Sequence, residues 1–205
     1  MPRTRRKEAR PGEIVAAALA SFAERGYAAT KLEDVAAAAG ISKGTIYLYF
    51  PTKEDLFRAV VRQAVLPNVE AAEAQFASHT GSCADLLRMQ AQRFLQLLDS
   101  DLTAIPKLIV AESGNFPAIA QFYADTVLRR AFRLIEGILA RGMERGEFRR
   151  MDVHATLPLF AAPFLLLALW KHSLGRHTDL SFDARAVAEA HLDVLLRGLA
   201  ADVPP

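Results

Sequence analysis

Leu32-Glu33-Asp34-Val35-Ala36-Ala37-Ala38-Ala39-Gly40-Ile41-Ser42-Lys43-Gly44-Thr45-Ile46-Tyr47-Leu48-Tyr49-Phe50-Pro51 is the stretch that decides the fold. Leu32, Val35, Ala36 and Ala39 recur at helical spacing. Thr30, with Glu33 three places on, forms a capping box that would start this helix. Gly40 stands where a helix ends in a residue of positive φ. Ile41 can plug the corner, and Ser42 can cap a second short helix carrying Lys43, Thr45, Ile46, Tyr47 and Tyr49. Ala36 faces Ile46, a small side chain against an apolar anchor, as two helices crossing steeply over a short turn require. With Ile46 inward, Lys43, Thr45 and Tyr47, and in part Leu48 and Tyr49, point away from the core. The pair reads as a helix-turn-helix whose outer face would enter the major groove of double-stranded DNA.

The run Gly40-Ile41-Ser42-Lys43-Gly44-Thr45-Ile46-Tyr47-Leu48-Tyr49-Phe50-Pro51-Thr52-Lys53-Glu54-Asp55-Leu56 resembles the TetR (tetracycline-repressor-like) family of bacterial transcription regulators. The resemblance covers roughly the first third of the chain; the remainder is similar in length, helicity and a few local patterns. It implies an all-α homodimer that reads a palindromic operator and releases it when a small molecule binds the larger domain. It also implies that Lys53 contacts a phosphate as the matching lysine does, and that the last two helices form the dimer. Many family members carry histidine where Tyr49 stands, so a phenol contact replaces a ring-nitrogen one there.

The DNA-side set expected is Thr30, Lys43, Gly44, Thr45, Tyr47, Leu48, Tyr49 and Lys53. Tyr47, Tyr49 and Lys53 would touch phosphates and so position the protein. Lys43 and Thr45, with Leu48, would meet base edges, lysine preferring guanine acceptors and threonine a thymine methyl or a phosphate. Thr30 would cap its helix and approach a phosphate. Charge supports this placement: residues 1–63 hold eleven Lys or Arg against seven Asp or Glu, whereas the whole chain carries only 25 against 23. The positive field therefore lies at the helix-turn-helix end.

Composition sets the outer limits. A chain of 205 residues with 52% hydrophobic content can bury a large core. Cys83 is the single cysteine, which rules out an internal disulfide and a thiolate metal site and fits a reducing cytoplasm. Basic residues ahead of the apolar run Ile14–Ala20 mimic a secretory signal. However, Ile14, Ala18, Leu19 and Phe22 fall on one face among Glu13, Glu24 and Arg25, and Gly26 closes a packed first helix. Pro2 and Pro11 should keep the basic arm, residues 1–10, out of that helix. The arm is either a solvated terminus or a strand-following contact to DNA.

Beyond Pro51, Thr52 can cap a fourth helix that links the two domains, divided at 1–51 and 52–205, with helix 52–77 between them. Pro67 should kink or interrupt it. Helices follow over about 84–98, 102–112 and from Phe116-Pro117 to Gly142 or Gly146. Leu157–Trp170 is apolar throughout, too short for a bilayer and twice interrupted by proline. With the helix over about 184–200 it suits a four-helix subunit interface formed by about 153–174 and 184–200 of two chains.

No metal, nucleotide or hydrolase motif joins the five histidines, so neither a metal site, a cofactor nor an enzyme is expected. A pocket between the middle helices should hold a hydrophobic, weakly charged effector, with Gln90, Phe94, Phe116, Phe122, Tyr123, Phe164 and Trp170 as candidate lining. The competing function is a ligand-independent architectural DNA-binding protein, which would keep the basic end without a specific operator.

Overall fold

The computed structural model describes residues 3–201, with side chains from Pro11 onward. Helix α1 (Arg3–Ala29) buries Ile14, Val15, Ala18 and Phe22, and Gly26 at φ 83° breaks its helical path. The expectation that Pro11 holds the basic arm out of the helix is corrected, because helical backbone runs from Arg3 through Pro11. Proline removes one helical N–H and crowds the preceding turn, but the Arg, Lys, Glu and Ala residues upstream are good helix formers. The arm's side chains, and Met1 and Pro2 entirely, lie outside the described residues.

Helices α2 (Leu32–Ala38) and α3 (Lys43–Tyr49) form the helix-turn-helix. Gly40 adopts φ 65°. Around it, Gly40 N–H donates to Ala37 O at 3.1 Å and Ile41 N–H to Ala36 O at 2.9 Å, the paired bonds that close a helix through a left-handed glycine. Ser42 Oγ accepts from Thr45 N at 3.2 Å and starts α3. Ala36 and Ile46 are both buried at the crossing.

Helix α4 (Lys53–Val60) begins on Thr52, whose Oγ1 accepts from Asp55 N at 3.0 Å. A π turn over Val61–Val65 carries it into α5 (Leu66–Ser78), so helical backbone runs through Pro67, where a kink or interruption was expected. The π turn shifts the bonding by one residue, with Leu66 N–H donating to Val61 O, and Asn68 Nδ2 donates to Ala64 O at 3.0 Å. The backbone next to the proline is thereby partly served without a break.

Helix α6 (Cys83–Leu97) follows, then a 3₁₀ turn Asp101–Thr103 and α7 (Ala104–Glu112). Helix α8 (Pro117–Tyr123), a second π turn (Ala124–Leu128) and α9 (Arg129–Glu144) make one long rod, with Gly146 at φ 70° beyond its end. Helix α10 (Val153–His172) and α11 (Ala184–Leu199) are the last helices among the described residues, with a 3₁₀ turn Leu174–Arg176 between them. No strand occurs among the described residues, and one isolated antiparallel bridge joins Phe148 to Ala200.

The buried residues fall into two clusters. One gathers α1–α4 with Ile105, Leu108, Ile119, Tyr123 and Val127. The other gathers Ala72, Leu86, Leu87, Ile138, Phe160, Phe164 and Leu199 from α5, α6 and α9–α11. Both π turns stand where a rod passes from the first cluster to the second. Val153–Arg176 is long and apolar enough to cross a membrane by length and composition alone. Its Phe160, Phe164, Leu167 and Ala168 are nevertheless buried in the fold, as in a core helix, while Leu159, Leu165 and Leu166 face outward.

Candidate nucleic-acid interface and ligand cavity

Helix α3 reaches the surface because Ile46 alone is buried on it. Leu48 is 79% exposed and Tyr47 39%, with Lys43 and Gly44 also exposed. Thr45 and Tyr49 are half-buried, Tyr49 against the first cluster. Thr45 Oγ1 lies 2.8 Å from Ser42 Oγ.

The outer face is already organised by one carboxylate. Glu33 Oε1, on α2, lies 3.0 Å from Lys43 Nζ and accepts from Tyr47 Oη at 3.0 Å. Lys43 foremost, then the backbone N–H and Tyr47, hold the Glu33 carboxyl down at about 2. The same carboxylate raises the Lys43 and Tyr47 pKa values. Glu33 thereby joins α2 to α3 across the outer face, a contact that its expected place in a capping box concealed.

Thr30 does not cap α2 as expected, and its side chain is turned inward. It is 1% exposed, and its hydroxyl is within reach of Gly26 O at 2.7 Å and Ser21 O at 3.2 Å. The position before α2 is held by Lys31, with no side-chain cap. Thr30 closes the end of α1 instead, since a buried hydroxyl must find an acceptor and the helix end supplies carbonyls.

Lys53 is also drawn inward. Its Nζ donates to Tyr27 O at 2.7 Å and Ala28 O at 3.1 Å, and lies 4.5 Å from the Tyr27 ring centroid. Burial lowers its pKa. In this conformation the lysine ties the start of α4 to the end of α1. Glu112 at the end of α7 meets the same corner, accepting from Ala28 N at 3.1 Å.

A cavity of about 310 Å³ lies behind this domain, between α5, α6, α7, α9 and α10. Gln90, Phe94 and Phe164 line it, the rings of Phe94 and Phe164 tilted against each other with centroids 5.1 Å apart. Four expected lining residues lie elsewhere. Phe116 packs edge-on against Tyr27 at 4.9 Å, and Phe122 lies under Arg58 and Arg62, each 5.4 Å from its centroid. Tyr123 is buried in the first cluster, where desolvation pushes its hydroxyl pKa up. Trp170 packs on Phe182 at 4.9 Å. Helical spacing assigns these rings to an apolar face but not to the neighbour that covers it, and α8 packs against α4 and α7.

Asn68, Arg93, Phe132 and Phe160, outside the expected set, also line the cavity. Arg93 had a local signal: it stands one helical turn after Gln90, so the two share a face. Gln90 Nε2 and Arg93 Nε are both buried without a hydrogen-bond partner. His172 Nε2 lies 2.9 Å from Thr103 Oγ1 at the edge of the cavity, and His191 packs against Phe164 at 5.6 Å. Among the described residues no group of three or more His, Cys, Asp or Glu side chains could hold a metal ion.

Comparison with known proteins accords with this arrangement. Residues 14–60 match the bacterial regulatory proteins of the tetR family, and residues 85–198 match the C-terminal domain of AefR-like transcriptional repressors. The fatty acid metabolism regulator protein of Bacillus subtilis is 25% identical over 197 residues, 94% of this chain and 98% of that protein. The transcriptional regulator CymR of Pseudomonas putida is 31% identical over 140 residues, 66% of this chain and 68% of that protein. The crystal structure of FadR from Bacillus subtilis in complex with stearoyl-CoA superposes with a TM-score of 0.77 at 23% identity, covering 92% of this chain and 98% of that one.

Proposed function

The chain belongs to the TetR family of bacterial transcription regulators and binds DNA through its helix-turn-helix, and from that premise we propose that it is a homodimeric repressor of a palindromic operator, released by a small apolar effector. Residues 1–51 would read the DNA, residues 52–205 would hold the effector and pair the subunits, and the rod from Lys53 to Ser78 would join the two. Its setting would be the cytoplasm, where the DNA is.

The observation that carries this reading is the continuity of that rod. Its first turn sits directly after the recognition helix, and Val65, Asn68, Val69 and Ala72 farther along it form a wall of the cavity. A guest pressing on that wall would bias the angle at which α3 is presented, as a ligand can only when it binds the two arrangements differently. A second route supports it: α7 contributes Pro106 to the cavity and ends at Glu112, which holds Ala28 N.

The subunit contact would use the outward face of α10 and α11. Leu159 is 61% exposed, Leu166 53% and Val194 72%, an apolar surface that an isolated chain leaves in water. Two such faces related by a twofold axis would form a four-helix contact. The solved FadR complex holds stearoyl-CoA, a guest with a long acyl chain, which supports an apolar-bodied guest in this fold. An architectural DNA binder would need neither the cavity nor its link to the rod.

Selection of bound sequences from a random DNA library tests the proposal. An inverted repeat is the expected product, and a set of sequences without twofold symmetry would refute the operator reading.

A further inference from the structure

Two residues that line the cavity each carry a donor without a partner. Gln90 and Arg93 both line it from α6, and Gln90 Nε2 and Arg93 Nε are buried without partners. The remainder of the guanidinium is held only by a neutral group, with Nη2 donating to Gln75 Oε1 at 3.2 Å. Gln75 is itself anchored, its Nε2 lying 3.3 Å from Met89 Sδ. The nearby carboxylates of α5 are committed elsewhere, because Glu70 and Glu73 both pair with Arg130. Asn68 spends its amide N–H on Ala64 O at 3.0 Å, and the Thr103 hydroxyl lies between Ser100 O and Leu98 O, each at 3.1 Å. Most of the remaining wall is hydrocarbon, including Val69, Leu97, Phe132, Ile135 and Phe164.

Buried donors are ordinarily paired, and one left unmade costs more than an average hydrogen bond contributes. A purely apolar guest would fill the hydrocarbon part and leave both donors unserved. An alcohol would bring a single neutral oxygen. A carboxylate brings two acceptor oxygens and a charge that matches a guanidinium lacking a counter-ion.

We infer that the effector is an amphipathic acid, its apolar body in the cavity and its anionic head on Gln90 and Arg93. This deepens the proposed function and rests on the cavity being the effector site. It also alters the expectation of a weakly charged guest, since Arg93 was not part of that expectation. A cavity of about 310 Å³ is at the lower end for ligand sites and suits a body of moderate size.

Isothermal titration of the full chain with decanoate, decanol and decanoyl-CoA tests the inference. Decanoate is expected to bind at least about tenfold more tightly than decanol, as a charge-assisted hydrogen bond would give. Arg93→Gln should abolish that advantage, and an unchanged urea-unfolding midpoint would show that the variant is folded. Equal binding of decanoate and decanol, or an advantage that survives Arg93→Gln, would overturn the inference. An Arg93-dependent preference for decanoyl-CoA would uphold the anion and assign it to the thioester's phosphates, whereas a preference for decanoate assigns it to a free carboxylate. If none of the three probes binds, or if Ala161→Trp inside the cavity leaves decanol binding intact in a folded protein, the cavity reading itself fails.

Discussion

The recognition helix and the cavity treat polar side chains in opposite ways. On α3, Lys43 and Tyr47 reach water and share a single carboxylate, Glu33, so water and that carboxylate together serve their donors. In the cavity, Gln90 and Arg93 carry donors that the fold itself leaves unpaired. A surface that meets a polyanion can remain solvated and ordered until DNA arrives, because exposed charges cost little in water. A buried donor has no such recourse, and in the proposed reading its partner comes with the guest. The first site is assembled by two adjacent helices, the second by five helices spread over about a hundred residues.

This contrast can be broken first at its structural base. Ile46 is fully buried and is what turns the polar face of α3 outward. Ile46→Ala should cost roughly 3 kcal/mol of stability, read from urea unfolding, and should lower DNA binding with it. If unfolding were unaffected, α3 would not be positioned by that anchor.

The next largest effect is expected where apolar surface is left in water. Leu166→Glu would count twice across a twofold axis and should weaken subunit association at least about a hundredfold in sedimentation velocity. A dimer that survives the charge at wild-type concentrations would place the subunit contact elsewhere.

Two milder changes sharpen the description of α3. Tyr47→Phe removes one hydroxyl, leaves the Glu33 to Lys43 pair, and should reduce affinity for all DNA sequences alike, by about tenfold or less in gel-shift titration. Glu33→Gln should act in the other direction. It frees Lys43 from a competing anion, so binding to random DNA should strengthen and the dependence on salt should steepen by about one counterion. A salt slope unchanged by Glu33→Gln would mean that the Glu33 carboxylate does not offset the Lys43 charge at the DNA surface.

Lys53 marks the limit of local reasoning. Its place at the start of a helix suits a phosphate contact, yet Tyr27 and Ala28, twenty-six and twenty-five residues away, supply the carbonyls that hold it. Thr30 is a similar case, since a threonine three residues before a glutamate resembles a cap until the end of α1 is known to lie beside it. Pro11 and Pro67 sit within helices because the surrounding residues favour helix and a π turn re-registers the bonds. Among the aromatic residues, Phe94 and Phe164 enter the cavity while Phe116, Phe122 and Tyr123 pack toward the DNA-binding end.

What the sequence alone determined were the features governed by neighbours in the chain. These are the left-handed turn at Gly40, the caps at Ser42 and Thr52, the inward Ile46, and with them the outward face of α3. Each depends on backbone geometry and hydrogen bonds closed within about five residues, so the residue types and their spacing suffice. The tertiary structure decided where the long-range partners fall: Lys53 on the carbonyls of α1, the rings of α8 beside the DNA-binding domain, and Gln90 with Arg93 in a cavity that no adjacent segment encloses. Periodicity tells which face of a helix is apolar; only packing tells which helix covers it, and whether a polar group on that face finds a partner there.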